Sequence, residues 1–118
     1  MYGLPETFDP SFLKGKDVAN VCFGAYTVDV CLEEHVSVQI FGRYRFLRGD
    51  EVIEEVTLPV TSSSLVQLSG KRIIDVSFSP ESGDIELRFE DRMTLFIQGD
   101  IGPYESYHLY DGPNRTIV

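Results

Sequence analysis

Apolar and polar residues take turns along most of the chain. Val28, Val30 and Leu32 alternate with Asp29 and Cys31; Val36, Val38 and Ile40 alternate with Ser37 and Gln39; Val21 and Phe23 precede them with the same spacing. The pattern returns at Val76 and Phe78, then Ile85, Leu87 and Phe89, then Met93, Leu95 and Ile97. Successive side chains of a strand point to opposite faces of a sheet, so this period of two predicts half-buried antiparallel strands. Each set of three reads as a meander. Ser82-Gly83 and Asp91-Arg92 are the turn candidates of the second meander, and Glu34-His35 stands in the place of Asp91-Arg92 in the first. Only Ser82-Gly83 carries the glycine that tight hairpins prefer. A fourth strand is expected after each meander, through Tyr44 and Phe46 in one case and over residues 104–110 in the other. Residues 52–60 alternate as well, and Pro59 marks that segment as an edge.

A short helical turn opens each meander. Asp9-Pro10 supplies a side-chain cap followed by proline at the first helical position. Ser62-Ser63-Ser64 does the same before residues 65–68, and Gly15 and Gly70 sit where a helix-ending glycine belongs.

The two meanders also share residues that alternation does not require. Residues 13–23 lie over 68–78 with five of eleven pairs identical, and both stretches begin Leu-x-Gly-Lys (Leu13, Gly15 and Lys16; Leu68, Gly70 and Lys71). After a two-residue difference in a loop, residues 28–42 lie over 85–99, matching Glu33 to Glu90, Ile40 to Ile97 and Gly42 to Gly99. Two unrelated hairpins would share the apolar phase but not Leu-x-Gly-Lys, which favours internal duplication. The expected fold is mainly β, with seven to nine antiparallel strands. Two meander units, about residues 13–42 and 68–99, make a sandwich or a barrel-like sheet with one or two short helical turns.

The 118 residues fit a single domain spanning residues 1–118, and 42% apolar content opposes disorder. Nineteen Asp and Glu against ten Lys and Arg give a net charge of −9. That balance opposes a nucleic-acid partner, which needs a basic face, and opposes docking on an anionic membrane. The start, Met1-Tyr2-Gly3-Leu4-Pro5-Glu6, lacks the basic and apolar regions of a secretory leader, so a cytoplasmic protein is expected, with Cys22 and Cys31 as free thiols. Asn114-Arg115-Thr116 matches the glycosylation sequon but is idle in that setting.

The reactive motifs fail one by one. Gly15-Lys16 and Gly70-Lys71 lack the upstream glycine and the following Ser or Thr of a phosphate loop. Cys22 and Cys31 share a strand phase, but His35 falls a strand length away, so no metal site is expected. No nucleophile signature occurs, so no catalytic residue and no cofactor is assigned. Glu33-Glu34, Glu54-Glu55 and Glu90-Asp91 are adjacent pairs that point to opposite faces and cannot converge on one substrate.

Two features remain as candidate binding surfaces. Asp29, Glu33, Glu86 and Glu90 are all off the apolar phase and correspond pairwise through the repeat, which predicts two similar acidic stripes. Residues 104–110 hold the densest aromatic run, with Tyr104 and His108 on one face and Glu105 and Tyr107 on the other. Glu105 is its expected anchor. A carboxylate on a partly apolar face needs a cationic partner, and Arg43, Arg45 and Lys71 are internal candidates by sign.

Leu68-x-Gly70-Lys71, the strand that follows, residues 83–91 (Gly-Asp-Ile-Glu-Leu-Arg-Phe-Glu-Asp), and Tyr104-Glu105-Ser106-Tyr107 together resemble a bacterial family of small proteins known as domain of unknown function 6188. Leu13-x-Gly15-Lys16 and its hairpin are similar too, so the resemblance spans about residues 13–112. Asp91-Arg92 stands where that family usually has Asp-Gly, and its Trp-ended tail has no counterpart before Val118. The resemblance implies a compact, mainly-β, soluble bacterial protein and carries no reaction or catalytic residue. By analogy with other small acidic bacterial proteins, the first expectation is a non-enzymatic, immunity-protein-like module that masks a basic protein such as a nuclease-type toxin. The alternative is a small-molecule binder or enzyme with a pocket between the two units, rimmed by Tyr104, Glu105, Tyr107 and His108. A homodimer joined through a free sheet edge is a third, structural option.

Overall fold

The computed structural model describes residues 9–58, 63–99 and 106–118. It is mainly β: ten strands in two antiparallel five-stranded sheets, with short 3-10 turns and no α-helix among the described residues. The strands are β1 (Val18–Phe23), β2 (Val28–Leu32), β3 (Val36–Ile40), β4 (Arg43–Arg48), β5 (Glu51–Thr57), β6 (Ile73–Phe78), β7 (Ile85–Phe89), β8 (Met93–Gln98), β9 (Tyr107–Asp111) and β10 (Asn114–Ile117). The first sheet has the order β1-β2-β3-β9-β10 and the second β5-β4-β8-β7-β6.

The alternating residues sit where their period puts them. In β2 and β3 burial alternates residue by residue, with Val28, Val30, Leu32, Val36, Val38 and Ile40 inside. Ile85, Leu87, Phe89, Met93, Leu95 and Ile97 face them from the second sheet, and one continuous core fills the space between. Removing this apolar surface from water is the main force holding the sheets face to face. The helical turns form as the capping residues predict. Asp9 accepts from the amide of Ser11 at 2.9 Å ahead of the turn Pro10–Leu13, and Ser63 accepts from that of Leu65 at 3.1 Å ahead of the turn Ser64–Leu68.

Sheets and repeat units do not coincide, however. β1-β2-β3 and β6-β7-β8 are equivalent meanders, and each has a β-bulge at the same place, between Val18 and Asn20 in one and between Ile73 and Asp75 in the other. The hairpin that follows each meander crosses to the opposite sheet. β4 pairs with β8, and β9 pairs with β3. Their registers are equivalent: Tyr44 lies opposite Ile97 and Tyr107 opposite Ile40, and the hairpins turn at Gly49 (φ 60°) and Gly112 (φ 59°). The likeness between the halves therefore runs through residues 43–58 and 106–117, beyond the segments that sequence alignment picked out. β10 went unrecognised in the sequence because its four residues, Asn114, Arg115, Thr116 and Ile117, carry little apolar signal. β5 is an edge strand as expected; Pro59 lies outside the described residues.

Reciprocal contacts close the other side. The first helical turn packs on β6 and the second on β1. The amide of Gly15 donates to the carbonyl of Ile73, and that of Gly70 to Val18, both at 2.8 Å. Asp17 and Arg72 pair directly across this junction, with Nε to Oδ1 at 2.8 Å. Among the described residues no helix is long and apolar enough to cross a membrane.

Candidate functional site

The sheet faces that point away from the core carry the remaining chemistry. On the first sheet the outward positions are Cys22 of β1, Asp29 and Cys31 of β2, Ser37 and Gln39 of β3, and His108 and Tyr110 of β9. Register makes neighbours of them: Asp29 lies opposite both Cys22 and Gln39, Ser37 opposite Cys31 and Tyr110, and Gln39 opposite His108. Asp29, Cys31, Ser37, Gln39 and Tyr110 line an open hollow of about 190 Å3.

A polar chain crosses this face. The Tyr110 hydroxyl donates to Gln39 Oε1 at 3.1 Å and lies 3.2 Å from His108 Nδ1. The His108 ring is 5% exposed and tilts against Phe41 with centroids 4.6 Å apart. Asp29 is the one carboxylate in the hollow. Its Oδ1 is closed off from solvent and has no hydrogen-bond partner among the described residues. Burial pushes its carboxyl above the usual range, with the Gln39 amide pulling the other way. Burial, then the nearby Cys22 thiol and Asp29 carboxylate, raise Cys31 in the same sense, so its thiol stays protonated at neutral pH and is a poor nucleophile. What this surface can do is offer one under-solvated negative charge and several hydrogen-bonding oxygens.

The second sheet has an equivalent outward face, built differently. Glu86 takes the place of Asp29, and Arg88 that of Cys31. Arg88 Nη2 and Nε both lie 3.1 Å from Glu86 Oε2. Arg45 takes the place of His108 and lies over the Phe96 ring, 5.9 Å from its centroid. A second open hollow, about 320 Å3, lies there against Phe78, Ser82, Asp84, Glu86 and Phe96. Both hollows open outward, whereas Tyr44, Phe46, Phe89 and Leu95 fill the space between the sheets.

The acidic residues expected to form stripes thus divide into two kinds. Asp29 and Glu86 stand on opposite outer faces. Glu33 and Glu90 serve the junction between the halves: Glu33 Oε1 accepts from the amide of Asp17 at 3.2 Å, and Glu90 Oε1 from that of Arg72 at 2.9 Å. Beside them Lys16 pairs with Glu34, and Lys71 with Asp91 at 2.5 Å. Tyr107 faces the core, where its hydroxyl donates to the carbonyl of Gly83 at 2.6 Å, and burial raises its phenol. His108 joins the outer face of the first sheet. Tyr104 and Glu105 lie outside the described residues. Ser37, Gln39 and Tyr110 were not singled out as binding residues, because their grouping depends on β3 pairing with β9, 71 residues apart for Gln39 and Tyr110. No cluster of three or more His, Cys, Asp or Glu side chains suited to a metal ion occurs among the described residues.

Compared with known protein families, with curated proteins and with solved structures, the chain finds no match.

Proposed function

We propose that this is a non-enzymatic binding module that recognises a basic protein partner. The supporting observation is how the charge is distributed. Ten Lys and Arg face nineteen Asp and Glu. At least five of the ten, Lys16, Arg45, Lys71, Arg72 and Arg88, are held by carboxylates among the described residues. The strands of the second sheet are close to balance, with Arg43, Arg45, Arg48 and Arg88 against Glu51, Glu54, Glu55, Asp75 and Glu86. The strands of the first sheet carry Asp29 near the centre and Asp111 against one basic residue, Arg115 at the far edge, so the strands of each sheet are one negative charge from balance and most of the excess lies outside the strands. An excess of carboxylates on a rigid β frame steers a positively charged partner inward and fixes its orientation.

A cytoplasmic setting, with both cysteines as thiols, belongs to this reading, as does the immunity-like role of masking a basic toxin. The test is a pull-down with the full chain as bait, at low and at moderate salt. A basic protein captured at low salt, with an association rate that falls as salt rises, supports the proposal. No captured protein at low salt, or one bound equally well in both, refutes it.

A further inference from the structure

The two outer faces are related by the repeat, yet one carboxylate receives a guanidinium while its counterpart has the neutral Gln39 amide beside it and an Oδ1 without a donor among the described residues. On the second sheet Glu86 receives the guanidinium of Arg88, two residues along the same strand. On the first sheet the position of Arg88 is Cys31, whose short neutral side chain cannot do this, and the hollow opens beside Asp29. Asp29 Oδ1 is shut off from water without a donor, so part of the hydration that normally stabilises a carboxylate is missing. The outward residues of the first sheet's three central strands include no lysine or arginine. The basic residue on this sheet's strands is Arg115 of β10, opposite Tyr110 and three strands from Cys31, so the Asp29 end of the hollow is the end open to a cation.

We propose that the hollow beside Asp29 seats an arginine side chain of the basic partner, in the role that Arg88 plays for Glu86 in the other half. The proposal rests on the function proposed above and locates its central contact. Arginine suits the site better than lysine because its guanidinium gives up water more easily and presents several donors in one plane. Asp29 takes the charge. The Ser37 hydroxyl and the second lone pair of the Tyr110 hydroxyl are further acceptors on the wall. Tyr110 is held in place by its hydrogen bond to Gln39, so the wall is ordered before the ligand arrives.

The test titrates the isotopically labelled full chain with Nα-acetyl-arginine amide at low salt, following backbone amide signals by NMR. Nα-acetyl-citrulline amide, which keeps the shape and lacks the charge, is the control. Arginine is expected to shift Asp29, Cys31, Ser37, Gln39 and Tyr110 saturably, with citrulline at least about tenfold weaker, as for loss of a charge-assisted hydrogen bond. Asp29→Asn should weaken arginine by at least about tenfold. Asp50→Asn, which removes the same charge from the exposed β4–β5 turn, should leave it unchanged. An Asp29→Asn spectrum that overlays the parent away from the hollow shows that the fold is retained. Equal response to citrulline, or unchanged affinity in Asp29→Asn, overturns the proposal. Two results separate it from the broader reading. Arginine binding at the hollow with no protein captured would defeat the proposed function and leave the hollow standing. A captured partner that binds Asp29→Asn as tightly as the parent would defeat the hollow alone.

Discussion

Replacing His35 by glycine should make the protein more stable, although it deletes a whole side chain. The turn Glu33-Glu34-His35-Val36 joins β2 to β3, and its two central residues lie in the left-handed region, with φ 61° at both. The hand of this turn matches the twist of the strands it joins, and for that reason such positions are usually Asn-Gly. An L-residue held there costs about 1–2 kcal/mol through the clash of its Cβ with the following carbonyl. Glu34 has a compensating contact, its ion pair with Lys16. His35 contributes its carbonyl, which accepts from the amide of Gly112 at 3.0 Å, while its side chain is exposed. Glycine keeps the carbonyl and removes the clash. It also frees the unfolded chain, at a cost of about 0.5–1 kcal/mol, so the net gain is about 0.5–1 kcal/mol. At about 2.1 cal/mol/K per residue, 118 residues lose 1 kcal/mol for about every 4 °C, so the melting temperature should rise by about 2–4 °C. The control is His35→Ala, which deletes the ring but keeps a Cβ in the left-handed position and should give little or no gain. Thermal and urea melts of both variants decide the matter. A rise in His35→Ala equal to that in His35→Gly would trace the effect to the ring, and a fall in His35→Gly would show that the turn is not strained.

Three further outcomes follow from the packing. A Cβ on Gly99 would stand 2.3 Å from the carbonyl oxygen of Ser82 and 2.6 Å from the carbonyl carbon of Gly83, so Gly99→Ala should cost about 2–3 kcal/mol in urea unfolding. At the equivalent Gly42 the nearest atom is the Ser106 oxygen at 3.7 Å, and Gly42→Ala should stay within about 0.5 kcal/mol; equal costs would contradict the geometry. Glu54 accepts from Ser63 Oγ at 2.9 Å and from the amide of Ser64 at 2.7 Å, tying β5 to the second helical turn, and Glu54→Ala should cost about 1–3 kcal/mol by the same unfolding assay. Burial pushes the Tyr44 phenol up to about 12, against Ser63, which pulls it down, and raises Tyr107 as well. Both phenols ionise later in the folded protein than in the unfolded chain. Stability should therefore hold below pH 10 and fall as pH rises from about 10 through 12, with a late step in phenolate absorbance that shrinks in Tyr44→Phe.

Strand alternation was legible because burial on one face leaves a period of two in the sequence, and β2, β3, β7 and β8 bury the residues that the pattern selects. The equivalence of the two meanders was legible from Leu-x-Gly-Lys for a physical reason. These residues form the reciprocal junction, where Gly15 and Gly70 adopt φ 85° and 83° and each amide reaches across to the other half. The exchange of hairpins was not legible. Which sheet β4 and β9 join depends on contacts between distant segments, and Arg43, Tyr44, Arg45, Phe46 and Leu47 would alternate equally well in either. The acidic pattern was only half informative. Period two tells inward from outward, but it cannot separate Glu33, which accepts from a backbone amide, from Asp29, which faces the hollow.

That distinction gives Asp29 a pH signature of its own. Its carboxyl titrates above the ordinary value because burial outweighs the Gln39 amide. In the interval between the unfolded and the folded value, the folded chain holds the proton more firmly than the unfolded one. Stability therefore falls as pH rises through that interval, opposite to the behaviour of Asp91, which Lys71 holds below the usual range. Asp29→Asn removes the penalty and should stabilise the free protein at neutral pH. The advantage should vanish as pH falls to the unfolded aspartate range, where both chains are neutral at this position. Urea unfolding of the two proteins at several pH values measures the difference directly, and the other carboxylates cancel in the comparison. If Asp29→Asn proves less stable than the parent at neutral pH, the charge is holding the fold together, and the hollow loses its claim to a ligand.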